Sequence, residues 1–383
     1  MSASPKPRMV WFDANRVCAA MGVVLIHSTT DFSGSAFPKV TPDERLVPVI
    51  LRSIAEFSGS EMFFTFSLFL IAMKLDRRRL EYRPAIAEQA RRLLVPFAVW
   101  TLFYIFFRLV KADAFHYGDH IRDEIGVWQN WLGYFLLGEA QYHMHFLPTL
   151  FLLFLFYPVM KLAMRYPILG LSLFATLGVM HYVQGFIWGL PVTDLVRDGL
   201  IRATKVLGYV GYGMAAFALY GLWKDGIPRG ESHLIRRGAL FFALTAYVAT
   251  LPFYGSALMS GTWGARDGWS FYGHFLMPLF MFCLFMGLQY GEWSPRWSRL
   301  ARYTFGVYLA HPMMVDLYDV AVYRSGLDLS PAALVILRFA VVLPVTFGFV
   351  VLLSRLKATA WTIGLGPAPW EWRRAGASAA SGE

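Results

Sequence analysis

Residues 10–30 read VWFDANRVCAAMGVVLIHSTT, and this stretch decides the fold. Its middle, Val17–Ile26, is an apolar run without a charge, and Asp13, Arg16 and His27 flank it. A helix needs about 20 mostly apolar residues to cross a bilayer. The run ends without a small-residue cleavage site, so it does not have the layout of a secretory signal. We therefore expect a first transmembrane helix that is retained in the mature protein.

The rest of the chain has the composition of a membrane protein. Of its 383 residues, 57% are hydrophobic, 17% aromatic and only 16% charged, whereas soluble domains carry about 25% charged residues. So few charges cannot cover a water-facing surface, which excludes a soluble enzyme. We predict an all-α polytopic helix bundle with ten spans, approximately 11–30, 50–73, 93–111, 145–163, 167–188, 204–223, 238–258, 271–290, 303–322 and 332–354. The shorter apolar stretch from Trp128 to Leu137 predicts an interfacial or re-entrant segment.

The net charge of +10 comes from basic residues that cluster between the apolar runs. Alternate loops hold most of them, and the most basic one joins the second and third predicted spans. By the positive-inside rule both termini are then cytoplasmic, and no nucleic-acid partner is expected. We predict a membrane-embedded domain over 1–363, surrounded by lipids. A cytoplasmic tail over 364–383 is expected to be partly disordered.

The three polar residues of the first helix lie on one face. Eleven residues separate Arg16 from His27, which at 100° per residue is about 20° from a whole number of turns. Asp13 lies about 21 Å from His27 along the axis, too far to orient it, so we expect an i,i+3 ion pair with Arg16. A histidine deep in a span can act as a general base on a hydroxyl, or it can bond to a neighbouring helix for packing.

Other ionisable residues lie within or beside the predicted spans, where such groups by default mark function. Glu61 lies mid-span and needs a partner, for which Arg16 or an inward histidine is available. His143 and His145 flank the entry to the fourth span, and His311 lies in the middle of a late span. Taken singly, each of these residues can also serve packing alone.

Five segments carry a family resemblance. In order, they are FDANRVCAAMGVVLIH (12–27), MFFTFSLFLIAMK (62–74), EQARRLLVPF (88–97), HMHFL (143–147) and FGVYLAH (305–311). Together they resemble the acyltransferase type-three family, integral-membrane enzymes that O-acylate bacterial surface carbohydrates. The chain departs from the family pattern at Gln89, where an arginine is expected, at Leu68 in place of a glycine, and at His145 in place of a tryptophan. Within the family it looks most like the OpgC-type proteins that succinylate osmoregulated periplasmic glucans.

The resemblance implies a reaction as well as a fold. The expected enzyme lies in the bacterial inner membrane and passes a succinyl or acetyl group from cytoplasmic acyl-CoA to a hydroxyl of a periplasmic glucan or other carbohydrate. His27 is the expected general base, acyl-CoA is a co-substrate, and no cofactor is bound permanently. The expected donor-binding residues are Arg16, Asp13, Arg91, Arg92, Arg77 and Arg78. The expected acceptor-binding residues are Glu61, His143, His145, His311 and Tyr308.

Two alternatives stay open at this stage. A proton-coupled secondary transporter could use the buried histidines and Glu61 as a proton relay, although no repeated halves are visible. The positive-inside bias alone would also place arginines in the cytoplasmic loops. We assign no metal site, because the Asp and His residues of the loop 112–144 fix no coordination number. A homo-oligomer is compatible with the sequence.

Overall fold

The apolar runs form helices in the computed structural model, which describes residues 9–78 and 81–369. Within these ranges the chain contains no strand. The helices are α1 (Val10–Ser28), α2 (Pro42–Ala55), α3 (Ser60–Arg77), α4 (Tyr82–Ala114), α5 (Gly118–Gly126), α6 (Trp128–Leu132), α7 (Phe146–Phe154), α8 (Tyr157–Arg165), α9 (Ser172–Trp188), α10 (Asp194–Trp223), α11 (Arg229–Ser260), α12 (Gly268–Gly287), α13 (Arg296–Ala301), α14 (Thr304–Ser325), α15 (Pro331–Arg355) and α16 (Lys357–Ala360). Of the predicted tail, 370–383 lies outside the described residues.

Every predicted span falls on helix, but fewer helices reach spanning length and hydropathy. Eight helical segments in the described ranges are long and apolar enough to cross a membrane, with α2 and α3 counted as one. The bent pair α7 and α8 would make a ninth. The remaining predicted span corresponds to α14, which is absent from this set. Its His311, Asp316 and Asp319 lower its hydropathy, and all three are buried inside the protein.

Helix α14 lies at the centre of the bundle, where it packs against α1, α4 and α15. Leu309, Ala310 and His311 of this helix are fully buried. Across the contact, Arg16 and His27 of α1 meet Thr304 and His311 of α14. Helices α1 and α14, which carry His27 and His311, therefore share one interface.

Two spans are interrupted, and both breaks lie near polar groups. Helices α7 and α8 meet at an angle of 67° around Leu155 and Phe156. Helices α2 and α3 are joined by the 3-10 turn Glu56–Ser58, which ends at Gly59. Irregular backbone at membrane depth is tolerated where it is buried in protein or lines a cavity. The turn at Glu56 fits this rule, because that carboxylate is buried and paired with three neighbours.

The outer faces of the peripheral helices are apolar. Phe241, Phe242 and Val248 of α11 are more than half exposed, as are Val179 and Phe186 of α9. A soluble monomer rarely exposes apolar surface on this scale. These faces are suited to contact with lipid chains, whereas the polar groups are gathered in the interior and around two cavities.

Candidate active site

The larger cavity opens beside the last turn of α1 and has a volume of about 940 Å³. We call it the wide cavity. Its lining mixes both signs of charge with aromatic rings, and His27 forms part of its wall. The residues that line it and enter the arguments below are His27, Arg52, Arg108, Lys111, Glu139, Gln141, Tyr142, Trp263, Asp316 and Asp319.

His27 lies between a tyrosine and a second histidine. The ring of Tyr142 is 4.3 Å from the His27 ring, and the ring of His311 stacks on it at 5.3 Å. His143 completes the group, with its ring 5.4 Å from that of His311. The structure thus brings together three of the sequence-predicted histidines.

The orientation of His311 follows from the proline beside it. Pro312 has no N–H, so the carbonyl of Tyr308, four residues earlier, loses its helical partner. The Nδ1 atom of His311 lies 2.8 Å from that carbonyl oxygen. A carbonyl only accepts, so Nδ1 carries the proton of a neutral ring and Nε2 is left as an acceptor. Nε2 is buried and has no hydrogen-bond partner among the described residues, and His311 lines neither cavity.

A second cavity of about 270 Å³ lies farther toward the start of α1. We call it the basic cavity, because its lining includes four cations and no carboxylate. The cations are Lys74, Arg16, Arg92 and Arg302. Its apolar wall is built from Phe63, Phe66, Leu150, Phe305 and Tyr308, among others. A basic mouth with an aromatic interior suits an anionic group attached to an apolar chain.

Arg16 is fixed at this cavity by two helices. Its guanidinium lies 3.8 Å from Asp13, which confirms the predicted i,i+3 pair. It also donates to the hydroxyl of Thr304 at 3.0 Å. Asp13 in turn accepts from Ser298 at 2.6 Å. The polar stripe of α1 therefore faces α13 and the start of α14.

One layer of side chains separates the two cavities. Tyr308 lines the basic cavity, and one turn later on α14 His311 contacts His27, which lines the wide cavity. The Tyr308 hydroxyl donates to the carbonyl of His143. Arg16 and His27 are about 16 Å apart along the helix axis, a distance that a flexible acyl carrier could cover.

Several predicted site residues lie elsewhere. Arg77, Arg78 and Arg91 are exposed and line neither cavity. His145 is the residue before α7 and also lines neither cavity. Of the expected donor residues, Arg16 and Arg92 line the basic cavity, together with Gln89 at the departure from the family pattern.

The partner expected for Glu61 was wrong. Glu61 lies in the first turn of α3 and accepts a hydrogen bond of 2.6 Å from the Tyr209 hydroxyl, rather than contacting Arg16 or a histidine. The helix break before Ser60 sets the direction of this turn toward α10. Glu61 lines neither cavity. Ser60 donates a second hydrogen bond at 3.1 Å, so hydroxyl groups satisfy both oxygens of the buried carboxylate.

Sequence reasoning missed a buried ionic network beside His27. Lys111 bridges Asp316 at 3.0 Å and Asp319 at 2.8 Å, and Arg338 forms an ion pair with Asp319 at 2.7 Å. The signal was available, because ionisable residues within spans call for partners. Their pairing could not be predicted, because it joins α4, α14 and α15. In the part of the chain that the structure describes, no group of three or more His, Cys, Asp or Glu could hold a metal ion.

Comparison with known proteins gives one kind of match. A family model described as an acyltransferase domain, of the acyltransferase type-three family, matches residues 9–355. Neither a curated protein nor a solved structure matches the chain. The matched range includes α1, the histidine group, the lining of the wide cavity and all but residues 363–365 of the basic cavity's lining.

Proposed function

Because this chain belongs to the acyltransferase type-three family, we propose that it is a membrane O-acyltransferase with the histidine layer as its reaction centre. It moves a succinyl or acetyl group from acyl-CoA to a hydroxyl of a carbohydrate. The observation that carries the proposal is the separation of two unlike cavities by His27, His311 and Tyr308. Two substrates that enter from opposite sides can meet at such a layer.

The basic cavity is the proposed donor site. Phosphates of acyl-CoA bind best to arginine forks and lysine ammonium groups. Arg16, Arg92 and Arg302 supply these at the cavity wall, and Phe63 and Phe66 supply apolar contact for the pantetheine arm. We propose that this side faces the cytoplasm of a bacterial inner membrane, where acyl-CoA is made.

The wide cavity is the proposed acceptor site. Its cations are already paired: Arg108 with Glu124 at 2.9 Å, and Lys111 with two aspartates. Paired charges and the rings of Tyr142 and Trp263 provide hydrogen bonds and stacking surfaces for a sugar. A periplasmic glucan fits these requirements, as does another carbohydrate without many charges.

The proposed chemistry needs one base and no covalent intermediate. His27 takes the proton of the sugar hydroxyl while the oxygen attacks the thioester carbonyl carbon. The C–S bond then breaks, and the proton passes to the departing CoA thiolate. His311 is buried behind the His27 ring and stacks on it, so its proposed part is to support the position of the base.

The test is acyl transfer by purified, reconstituted protein given labelled succinyl-CoA or acetyl-CoA and a short neutral glucan. His27→Ala should lower kcat by about 10²- to 10⁴-fold, the usual contribution of a general base. His181→Ala is the matched control, because this half-buried histidine on α9 lines neither cavity. Full turnover by a folded His27→Ala protein would exclude His27 as the base.

Two further measurements separate the alternatives. Mass spectrometry of periplasmic glucans from a strain lacking the gene, compared with its parent, should show loss of one acyl group and thereby identify both group and acceptor. Substrate flux across proteoliposomes in the absence of acyl-CoA would instead indicate a proton-coupled transporter.

A further inference from the structure

We propose that Arg338 and Arg52 are positioning residues that hold the last turn of α1 and so fix His27 between the two cavities. The proposal rests on the function proposed above. It assigns a role to the buried Arg338 of α15 and the partly buried Arg52 of α2, and neither of them lies in the family motifs of the chain.

The last turn of α1 has carbonyl groups that the helix itself cannot satisfy. The final four carbonyls of any helix lack an intrahelical partner, and at membrane depth there is no bulk water to replace it. Helix α1 ends at Ser28, one residue after His27. Side chains of the same turn help: Thr29 donates to the carbonyl of Ile26, one of these four, at 2.7 Å, and Ser28 donates to that of Val24, just before them, at 2.8 Å.

Arg338 donates hydrogen bonds to carbonyls that follow His27. Its side chain is fully buried. Its Nη1 atom donates to the carbonyl of Ser28 at 3.0 Å and to that of Thr30 at 2.6 Å. Its Nη2 atom lies 2.7 Å from Asp319. One rigid guanidinium therefore ties the end of α1 to α14.

Arg52 donates a further hydrogen bond to the carbonyl that precedes His27. Its Nη1 atom donates to Ile26 at 2.8 Å, and its Nε atom pairs with Glu56 at 2.8 Å. Glu56 is held further by Arg266 at 3.1 Å and His274 at 2.8 Å. Two cations at the end of a helix also interact favourably with its dipole. The backbone on both sides of His27 is thus hydrogen-bonded to an arginine that is itself paired with a carboxylate.

The ion pairs around Arg338 also extend to a side chain that contacts the His27 ring. Asp319 bonds Lys111, Lys111 bonds Asp316, and Asp316 accepts from Gln141 at 3.2 Å. Gln141 precedes Tyr142, whose ring lies 4.3 Å from His27. Two sets of polar contacts therefore position the proposed base. The pair of Arg52 with Glu56 holds the backbone before His27, and the set from Arg338 to Gln141 reaches the backbone after it and the tyrosine beside its ring.

Arg338 gives the cleaner test of the two, because it does not line the wide cavity and Arg52 does. Misplacing a catalytic group by about 1 Å can cost 10²-fold in rate. We expect Arg338→Gln to lower kcat by about tenfold to 10²-fold. KM for acyl-CoA should change little. Arg338→Lys keeps the charge and can reach one partner at a time, so it should recover part of the rate.

Arg45 provides a matched control. It is also buried, and it donates to the carbonyls of Phe37 at 3.0 Å and Leu258 at 2.6 Å, but it does not contact α1. Arg45→Gln should lower Tm as much as Arg338→Gln does while kcat per folded molecule is retained. Hydrogen exchange gives a readout without catalysis: Arg338→Gln should speed exchange in residues 22–30, and Arg45→Gln in residues 37–47.

The outcomes separate the two proposals. Wild-type protein without acyl transfer would overturn the proposed function, and the exchange measurement would still decide whether the arginines hold α1. Undiminished kcat in Arg338→Gln would overturn the positioning role. Equal losses of kcat in the Arg45 and Arg338 variants would also overturn it, because they would reflect general destabilisation.

Discussion

At the scale of single residues, the buried ionisable groups of this protein are held by specific partners, and those partners set their roles. Glu61 bonds a tyrosine hydroxyl and lies away from both cavities, whereas His27 meets other rings at the wall of a cavity. A buried polar group costs free energy unless it is hydrogen-bonded. Removing a partner should therefore have different consequences at the two places: loss of stability at Glu61 and loss of rate at His27.

Tyr209→Phe should destabilise the protein. The change removes only the hydroxyl that donates to Glu61, and leaving a buried acceptor short of a donor costs about 1–3 kcal/mol. Tyr290→Phe is the control. The Tyr290 hydroxyl also donates a hydrogen bond, to a backbone carbonyl, but the side chain is half exposed, so water can replace the lost donor. Denaturation midpoints in detergent measure both. Equal midpoints for the two variants would contradict the assigned Glu61–Tyr209 bond.

His143 should make stability fall at acidic pH. It lies in the loop before α7, and burial, with His311 and His27 nearby, holds the pKa of His143 well below its usual range. An unfolded histidine titrates near 6.5. Below that pH the unfolded chain binds the extra proton, so the free energy of unfolding decreases by up to about 1.4 kcal/mol per pH unit until the native pKa is reached.

His143→Gln should therefore flatten the dependence of Tm on pH between about 6.5 and 5. The exposed His120 of α5 serves as the control, and His120→Gln should leave that slope unchanged. The slopes are compared rather than the absolute values of Tm, because any change at a buried site also alters packing. Parallel curves for wild type and His143→Gln would contradict the neutral burial of this histidine.

At the scale of elements, close helix contacts depend on glycine at particular positions. In the α11–α12 hairpin, a Cβ on Gly273 would lie 2.5 Å from the carbonyl oxygen of Ala246. Real Cβ atoms are not found so close to backbone, so the helices must move apart. In the same hairpin, a Cβ on Gly255 would have nothing within 4 Å.

The two glycines predict opposite effects of alanine. Gly273→Ala should destabilise by about 1–3 kcal/mol, the usual cost of overpacking. Gly255→Ala should stabilise by about 0.5–1 kcal/mol, because alanine is the better helix residue. Unfolding in detergent, followed by circular dichroism, measures both changes. A stabilising Gly273→Ala would show that α11 and α12 are not packed this closely.

At the scale of the whole molecule, the useful feature is the contrast between the two cavities. The lining of the basic cavity contains four cations and no carboxylate, whereas the lining of the wide cavity contains Asp316 and Asp319, which pair with its Lys111. This contrast is the reason for proposing the anionic donor at the first and the sugar at the second. The proposal predicts that arginines at the basic cavity affect donor binding and that arginines outside it do not.

Arg92 and Arg91 are neighbours in sequence but differ in position, so they provide a sharp test. Both side chains are exposed, but only Arg92 lines the basic cavity. Losing a charged hydrogen bond costs about 1.5–3 kcal/mol, so Arg92→Gln should raise KM for acyl-CoA roughly tenfold or more. Arg91→Gln should change KM by less than about twofold, as expected for an exposed site that lines no cavity. Equal increases in KM would remove the basic cavity as the donor site.

The sequence by itself determined the class of protein, the places of the helices and the polar face of α1. Hydropathy over some 20 residues and a period of 3.6 are local properties imposed by bilayer thickness and helix geometry. The motifs around His27 and His311 were also readable, because they are contiguous. The Asp13–Arg16 pair followed from spacing alone.

Only the tertiary structure decided which side chains meet across helices. Arg16 reaches Thr304 over 288 residues of sequence, and Arg338 reaches Ser28 over 310. Such contacts depend on how each helix is rotated and how its neighbours pack, which no local pattern encodes. The same packing kept α14 in the centre despite its low hydropathy. It also gave Glu61 a tyrosine as its partner, and it placed Arg92 at a cavity with Arg91 outside it.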